Sequence, residues 1–230
     1  MMTAAVIVAA GQGTRMGKGT EDKLFLEVAG RPVVAHTWLR YDAAPCIDES
    51  VLVIRGDRRG AFEALSREQA WRKPFRLVEG GTERQESVWN GLSALDVGVE
   101  WVAIQDGARP CTSLEAISGA MTVAREIGAA VVAQRMTDTI KESLDGRTIA
   151  RTLDRSKVWS VQTPQVFRVT VLRRALGLAR ERGLRLTDDT AACELIGQPV
   201  GLVECGLPNP KVTVAGDLAW VESILRGEAG

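Results

Sequence analysis

Residues 9–23, AAGQGTRMGKGTEDK, follow directly on the apolar run Ala4-Ala5-Val6-Ile7-Val8. A glycine-rich turn leaving a strand exposes successive backbone N–H groups that can face an anion. Ala9, Ala10, Gly11 and Gly13 supply that turn, and Arg15 and Lys23 place two cations within reach of a triphosphate. The chemistry these residues suit is phosphate binding. Neither of the two commonest phosphate loops fits. The dinucleotide fingerprint needs glycine at position 16, where Met16 stands, and the acidic residue expected about twenty positions on is missing. The mononucleotide P-loop needs glycine at 12 and Ser or Thr at 19, which are Gln12 and Gly19.

Two further segments add to the loop. AIQDGARP puts Asp106 where an apolar strand ends, the edge at which open α/β sheets bind ligands. A carboxylate there, beside phosphate, suits Mg²⁺ held jointly with phosphate oxygens, although capping of the following turn would use the same residue types. GGTERQESVWNGL supplies Gly80-Gly81 ahead of a helix, with Ser87 on its first turns. A glycine pair permits close approach of backbone to a ring or phosphate, and equally serves a plain turn. Three such signals at successive strand ends point to one pocket.

The elements that must carry these residues alternate. Ala4–Ala9, Val51–Ile54, Trp101–Gln105, Ala129–Ala133 and Val200–Cys205 read as strands. Arg58–Arg72, Glu83–Leu95 and Asp217–Arg226 read as helices, and so does Val33–Tyr41. Thr112-Ser113-Leu114-Glu115 reads as a capping box opening a helix toward Ile127. Another helix is expected from Thr187, with the threonine as cap and Asp188 and Asp189 at the positive end, stopping at Gly197. The pattern predicts one α/β domain over 1–230, a mostly parallel sheet with helices on both faces. One stretch, 137–153, breaks the alternation with two runs around Asp145-Gly146, a hairpin signal. A lone ribbon is marginal in water, so it must lean on a partner subunit or extend the main sheet.

Composition narrows the chemistry. The chain balances 29 basic against 29 acidic residues, which argues against nonspecific binding to nucleic acid or anionic membrane. The N-terminal apolar run is too short to span a bilayer and reads as a buried strand rather than a signal peptide. Cys46, Cys111, Cys193 and Cys205 have no metal-type spacing, consistent with reduced thiols in the cytoplasm. His36 is the sole histidine, so a histidine-based nucleophile triad or multi-histidine metal centre is excluded. Catalysis must come from Lys, Arg, Asp or the backbone.

In order along the chain, AAGQGTRMG with Lys23, GGTERQESVWNGL, DGARP, TDTIK, RSKVWSVQTPQVF, TDDTAACE and NPKVTV together resemble the cytidylyltransferases that join CTP to 2-C-methyl-D-erythritol 4-phosphate in the non-mevalonate isoprenoid pathway. The resemblance implies a three-layer, Rossmann-like fold of the nucleotide-diphospho-sugar transferase type with a projecting β-arm at about 137–160. It implies that Ala9, Ala10, Gly11 and Gly13 line the CTP loop, and that Arg15 and Lys23 stabilise charge during transfer. Gly81 and Ser87 would meet the cytosine side. Asp106 would lie between the two substrates near Mg²⁺ or another divalent cation, with Arg109 close by. Thr139, Arg155 and Thr187 would hold the sugar phosphate, and Lys211 would align it. A homodimer would exchange arms, putting Thr139 and Arg155 in the neighbour's pocket.

Three positions depart from the family pattern. Gly107 stands where alanine is usual, Pro210 precedes Lys211, and Leu24 replaces the usual glutamine. Glycine at 107 would only loosen the backbone, whereas Pro210 removes a donor and fixes a dihedral beside Lys211. The reaction implied is attack of a phosphate monoester on the α-phosphorus of CTP. A monoester's second pKa is about 6, so the nucleophile is already anionic and no general base is required. No second catalytic domain is expected after Gly230. The rival readings are a cytidylyltransferase for ribitol 5-phosphate or a related polyol phosphate, a silent nucleotide-binding regulator, and an NAD-dependent oxidoreductase.

Overall fold

The computed structural model describes residues 1–11 and 22–227. In chain order it comprises β1 (Met2–Ala9), β2 (Glu27–Val28), β3 (Arg31–Pro32), α1 (Val33–Ala43), β4 (Glu49–Ile54), α2 (Arg59–Glu68) and β5 (Phe75–Glu79). There follow α3 (Arg84–Ser93), β6 (Val99–Asp106), α4 (Leu114–Ile127), β7 (Ala129–Arg135), β8 (Lys141–Glu142) and β9 (Arg151–Thr152). The chain ends with β10 (Trp159–Arg168), α5 (Val169–Glu181), α6 (Asp189–Leu195), β11 (Gly201–Glu204) and α7 (Asp217–Gly227).

Seven strands form the central sheet in the order β11-β7-β10-β6-β1-β4-β5. All neighbouring pairs are parallel except those of β10, which runs antiparallel to β6 and β7. Both faces are covered, which is why β1, β4 and β6 read as unbroken apolar runs. Ala5 and Ile7 of β1 pack with Leu52, Trp101, Ile117 and Val221 on one face. Ala4 and Val6 pack with Val53, Ile104, Leu172 and Ala192 on the other. The larger aliphatic side chains among these, fully withdrawn from water, contribute about 1.5–3 kcal/mol each. Helix α3 lies so close that a Cβ on Gly91 would come within 2.5 Å of Val6 Cγ1. The fold is a three-layer α/β sandwich.

Several expected boundaries move. The predicted helix 58–72 is a 3-10 turn at Gly56–Arg58 followed by α2, which ends at Glu68. The cap of α4 is Ser113, whose hydroxyl accepts from Ala116 N at 3.1 Å. Thr112 is one residue too early to cap and bonds inward to Asn209 instead. Likewise Asp188, not Thr187, caps α6: its carboxylate accepts from Ala191 N at 3.0 Å, because the charged acceptor is one residue nearer the helix. Gly128, at φ 100°, closes α4 in the left-handed conformation that costs glycine nothing.

The apolar patterning of the sequence does not mark strands β5 and β10 or helix α5. β10 holds Pro164 in its interior, a residue that argues against a central strand; the ladder to β7 breaks register between Val161 and Gln165, around that proline. β5 is a sheet edge and only partly covered, so it lacks the apolar run of its neighbours. Helix α5 opens Val-Thr-Val, a β-branched start that hides its helical character.

The 137–153 segment forms its own two-stranded sheet, β8 paired with β9 in the register Lys141↔Thr152 and Glu142↔Arg151. It is therefore no extension of the main sheet. The connecting loop is longer than a two-residue turn: Asp145 accepts from Arg147 N and Thr148 N, and Gly146 has φ 69°.

Candidate active site

The carboxyl ends of β1, β4, β5 and β6 converge on a cavity of about 600 Å³. After β1 the chain builds outward through β4 and β5, then returns with β6 to β1's other side. The cavity thus sits where the strand order reverses, the place α/β sheets offer to ligands. Ala9, Ala10 and Gly11 line it from β1, Gly81 and Ser87 from the start of α3, and Asp106 from β6, with Lys23 and Lys211 beside them. Gly13 and Arg15 lie outside the described residues. Lys23 Nζ donates to the carbonyl of Val212 at 2.9 Å, which ties the loop lysine to the segment carrying Lys211.

The glycines here are dictated by contact. A Cβ on Gly80 would meet Ala10 Cβ at 2.4 Å, and one on Gly81 would meet Glu86 Cβ at 2.3 Å. Ser87 Oγ accepts from Gly81 N at 3.1 Å and donates to the Glu83 carbonyl, so it holds the glycine turn against α3. At position 107 an alanine methyl would approach Val8 O to 3.1 Å. Glycine at 107 therefore relieves a tight approach of the chain leaving β6 to the carboxyl end of its parallel neighbour β1; it does more than loosen the backbone.

A second cavity, of about 520 Å³, adjoins the first and is lined by Arg109, Gln162, Thr163, Thr187, Asp188 and Thr190. Arg84, Asp106 and Lys211 line both cavities and form the wall between them. Asp106 is its centre. Lys211 Nζ lies 2.8 Å from Oδ2, Arg84 Nε 3.5 Å from Oδ1 and Arg109 Nε 3.6 Å from Oδ2. Burial by itself would raise the Asp106 pKa, but Lys211, then Arg84 and Arg109, outweigh it and hold the carboxyl well below the usual carboxylate range. Asp106 is ionised at neutral pH. Burial lowers the Arg109 pKa from its ordinary value, with Asp106 pulling the other way.

Beneath the wall runs a buried polar network. Tyr41 Oη donates to Gln105 Oε1 at 2.7 Å, Gln105 Nε2 to Thr112 Oγ1 at 2.9 Å, and Thr112 Oγ1 to Asn209 Oδ1 at 3.1 Å. Asn209 Nδ2 reaches the Thr163 carbonyl at 3.0 Å, and the Asn209 carbonyl accepts from Arg109 Nη1 at 2.7 Å. The network anchors the residue two before Lys211, so Pro210 sits in a segment already fixed and Lys211 still reaches Asp106.

Of the residues singled out by sequence, Lys23, Asp106, Arg109, Thr187 and Lys211 are gathered at these joined cavities. Thr139 and Arg155 are not: both are exposed, and Arg155 donates to the Thr137 carbonyl beside the β8–β9 ribbon. The sequence assigns Arg84, Thr163 and Asn209 no role, and Asp189 only a place at the positive end of a helix. Arg84 did leave a signal: a cation on the first turn of a helix opposes the helix dipole and needs an external partner. His36 packs in α1, with Nε2 at 2.7 Å from the Val28 carbonyl, far from any catalytic role. The four cysteines are unpaired. Among the described residues there is no group of three or more His, Cys, Asp or Glu side chains able to hold a metal, and no helix long and apolar enough to cross a membrane.

A doubly covered, mostly parallel sheet, with Lys211 and an ionised aspartate between two cavities at its carboxyl edge and Lys23 in the first of them, is the arrangement of an α/β nucleotidyltransferase. A family model described as "IspD: 2-C-methyl-D-erythritol 4-phosphate cytidylyltransferase" matches residues 3–227. The chain is 41% identical over 221 residues to the 2-C-methyl-D-erythritol 4-phosphate cytidylyltransferase of Geobacillus thermodenitrificans, covering 96% of each. It is 40% identical over 227 residues to that of Caldanaerobacter subterraneus, covering 98% of this chain and all of the relative. The crystal structure of 4-diphosphocytidyl-2C-methyl-D-erythritol synthase from Anaerococcus prevotii superimposes with a TM-score of 0.86 at 29% identity over 98% of both chains. The Thermus thermophilus cytidylyltransferase gives 0.79, also at 29% identity, over 98% of this chain and all of its own. The chain belongs to the 2-C-methyl-D-erythritol 4-phosphate cytidylyltransferase family.

Proposed function

We propose that this chain transfers the cytidylyl group of CTP to 2-C-methyl-D-erythritol 4-phosphate, releasing pyrophosphate and 4-diphosphocytidyl-2-C-methyl-D-erythritol. The observation that carries the reading is the shared wall: Lys211 and Asp106 face both a glycine-lined nucleotide cavity and a second cavity of matching size. CTP occupies the first, with its phosphates on the loop 9–15 and Lys23. The polyol phosphate occupies the second, near Thr187 and Arg109. Its phosphate dianion attacks the α-phosphorus in line, and no base is needed. The obstacle is repulsion between two polyanions, so catalysis rests on positioning and preorganised positive charge. Arg15, Lys23 and Lys211 would supply that positive charge where negative charge builds on the α-phosphate and the leaving pyrophosphate.

A divalent cation, Mg²⁺ in the first instance, would be held by Asp106 together with the CTP phosphates. Its habit of using one or two carboxylates plus substrate phosphates matches the single ionised Asp106 at the wall, and when bound it neutralises triphosphate charge. The domain is one nucleotidyltransferase unit, 1–230, with the β8–β9 ribbon as an arm at about 137–160. The exposed positions of Thr139 and Arg155 on that arm support a homodimer in which each arm completes the neighbour's second cavity. Free thiols support a cytoplasmic setting.

Pyrophosphate release from CTP, Mg²⁺ and 2-C-methyl-D-erythritol 4-phosphate, run beside ribitol 5-phosphate, tests the reading. Turnover is expected with the methylerythritol substrate. Preference for ribitol 5-phosphate would move the assignment to the polyol rival, and silence with both would return it to a nucleotide-binding regulator.

A further inference from the structure

We propose that Arg84 is a positioning residue for the transfer: its guanidinium, stretched between Asp106 and Asp189, holds the wall between the two cavities and fixes the Asp106–Lys211 pair within it. The inference rests on the cytidylyl-transfer reading for its assay, and on contacts alone for its argument. Arg84 Nε faces Asp106 Oδ1 at 3.5 Å while Nη1 faces Asp189 Oδ2 at 2.7 Å. The first carboxylate ends β6 and the second opens α6, so one side chain joins the nucleotide side of the site to the polyol side. Asp189 is 1% exposed, its backbone N–H is held by Gln165 Oε1 at 3.1 Å, and Arg84 is its ion-pair partner among the described residues.

Neighbouring residues show that this joint is built. Glu83 pairs with Arg185 at 2.6 Å, and Gln85 both donates to the Leu184 carbonyl and accepts from Leu186 N. Three consecutive residues at the start of α3 thus clamp 184–189, and of the three the middle one alone lines both cavities. A cation on the first turn of α3 works against the helix dipole, a cost that the two carboxylates offset. Without it, Asp106 and Asp189 would face each other across a buried space with one fewer cation between them, and the wall would have to shift. Lysine could hold the charge but not both contacts, since only guanidinium presents a planar fork.

Arg84→Ala, Arg84→Lys and Arg185→Ala in the full-length protein test this, with kcat and KM from pyrophosphate release, CTP Kd from calorimetry, and Tm. Arg84→Ala should lose about a hundredfold in kcat, the scale of a misplaced reacting group, with CTP Kd within about threefold of parent. Arg84→Lys should fall between. Added ethylguanidinium should restore part of the loss in Arg84→Ala but none in Lys23→Ala, whereas the outer tie Arg185→Ala should keep parental kcat. Should Arg84→Ala not fold, Asp189→Asn replaces it, with an expected loss of about tenfold in kcat. Parental kcat in the tested variant, or a loss in Arg84→Ala that guanidinium leaves untouched and Arg185→Ala reproduces, would overturn the role. The turnover of the parent tests the functional reading; the variant-to-parent ratio tests Arg84.

Discussion

Lys211→Ala separates a structural ion pair from a catalytic cation. Lys211 Nζ lies 2.8 Å from Asp106 Oδ2, with the two side chains 33% and 12% exposed. Asp106 is buried and Lys211 mostly covered, so losing the lysine would cost more than breaking a surface ion pair if nothing else met the carboxylate. Arg84 at 3.5 Å and Arg109 at 3.6 Å remain on the same carboxylate after the lysine is removed. Folding should therefore lose about 1 kcal/mol, or roughly 2–4 °C in Tm for a chain of this size. The transition state has no such reserve, because Arg84 is held between Asp106 and Asp189, and Arg109 between Asp106 and the Asn209 carbonyl, so neither moves into the place of the lysine. Loss of a preorganised charged donor costs about 3–4 kcal/mol, or 10²–10³ in kcat. The assay is steady-state pyrophosphate release at saturating CTP, with thermal unfolding and calorimetric CTP binding on the same preparation. The expected signature is a large fall in kcat with a small fall in Tm. A kcat within about fivefold of parent, at whatever Tm, would refute the catalytic assignment and leave Lys211 as Asp106's counter-ion.

Three further outcomes are expected. Lys23→Ala and Arg155→Ala subunits, each nearly inactive alone, should recover activity in verified heterodimers, since one site in each mixed dimer would carry both native residues; no recovery would argue against arm exchange. Gly91→Ala should destabilise the fold by about 1–3 kcal/mol in urea unfolding, because the added methyl would sit 2.5 Å from Val6 Cγ1 and 2.9 Å from Val53 Cγ2 in a closed core; an unchanged midpoint would mean α3 can retreat at no cost. His36 titrates below its ordinary value of 6.5, chiefly because burial disfavours the charged ring. The unfolded chain then takes up the proton first, so stability should fall as pH drops through about 6.5 and be unaffected by His36 above about 7.5. His36→Gln should remove that part of the decline in urea midpoints; an identical pH dependence in parent and variant would contradict it.

What the amino-acid sequence determined by itself was everything local in origin. Continuous apolar runs marked β1, β4, β6 and β7, because strands covered on both faces need no alternation. Glycines after β1 and before α3 marked the cavity floor, and Lys23, Asp106 and Lys211 were legible as charges beside strand ends or family motifs. The tertiary structure alone decided what depends on partners remote in sequence. Pro164 disguised β10 until β6 and β7 bracketed it, and Val169-Thr170-Val171 disguised α5 until it settled against β6 and β10. Arg84 meets carboxylates 22 and 105 residues away, and Asn209 binds across from Thr112 and Thr163. No spacing rule reaches so far. Which buried charge neutralises which is settled only when the fold brings them within a few ångströms, where desolvation makes an unpaired charge too costly to keep.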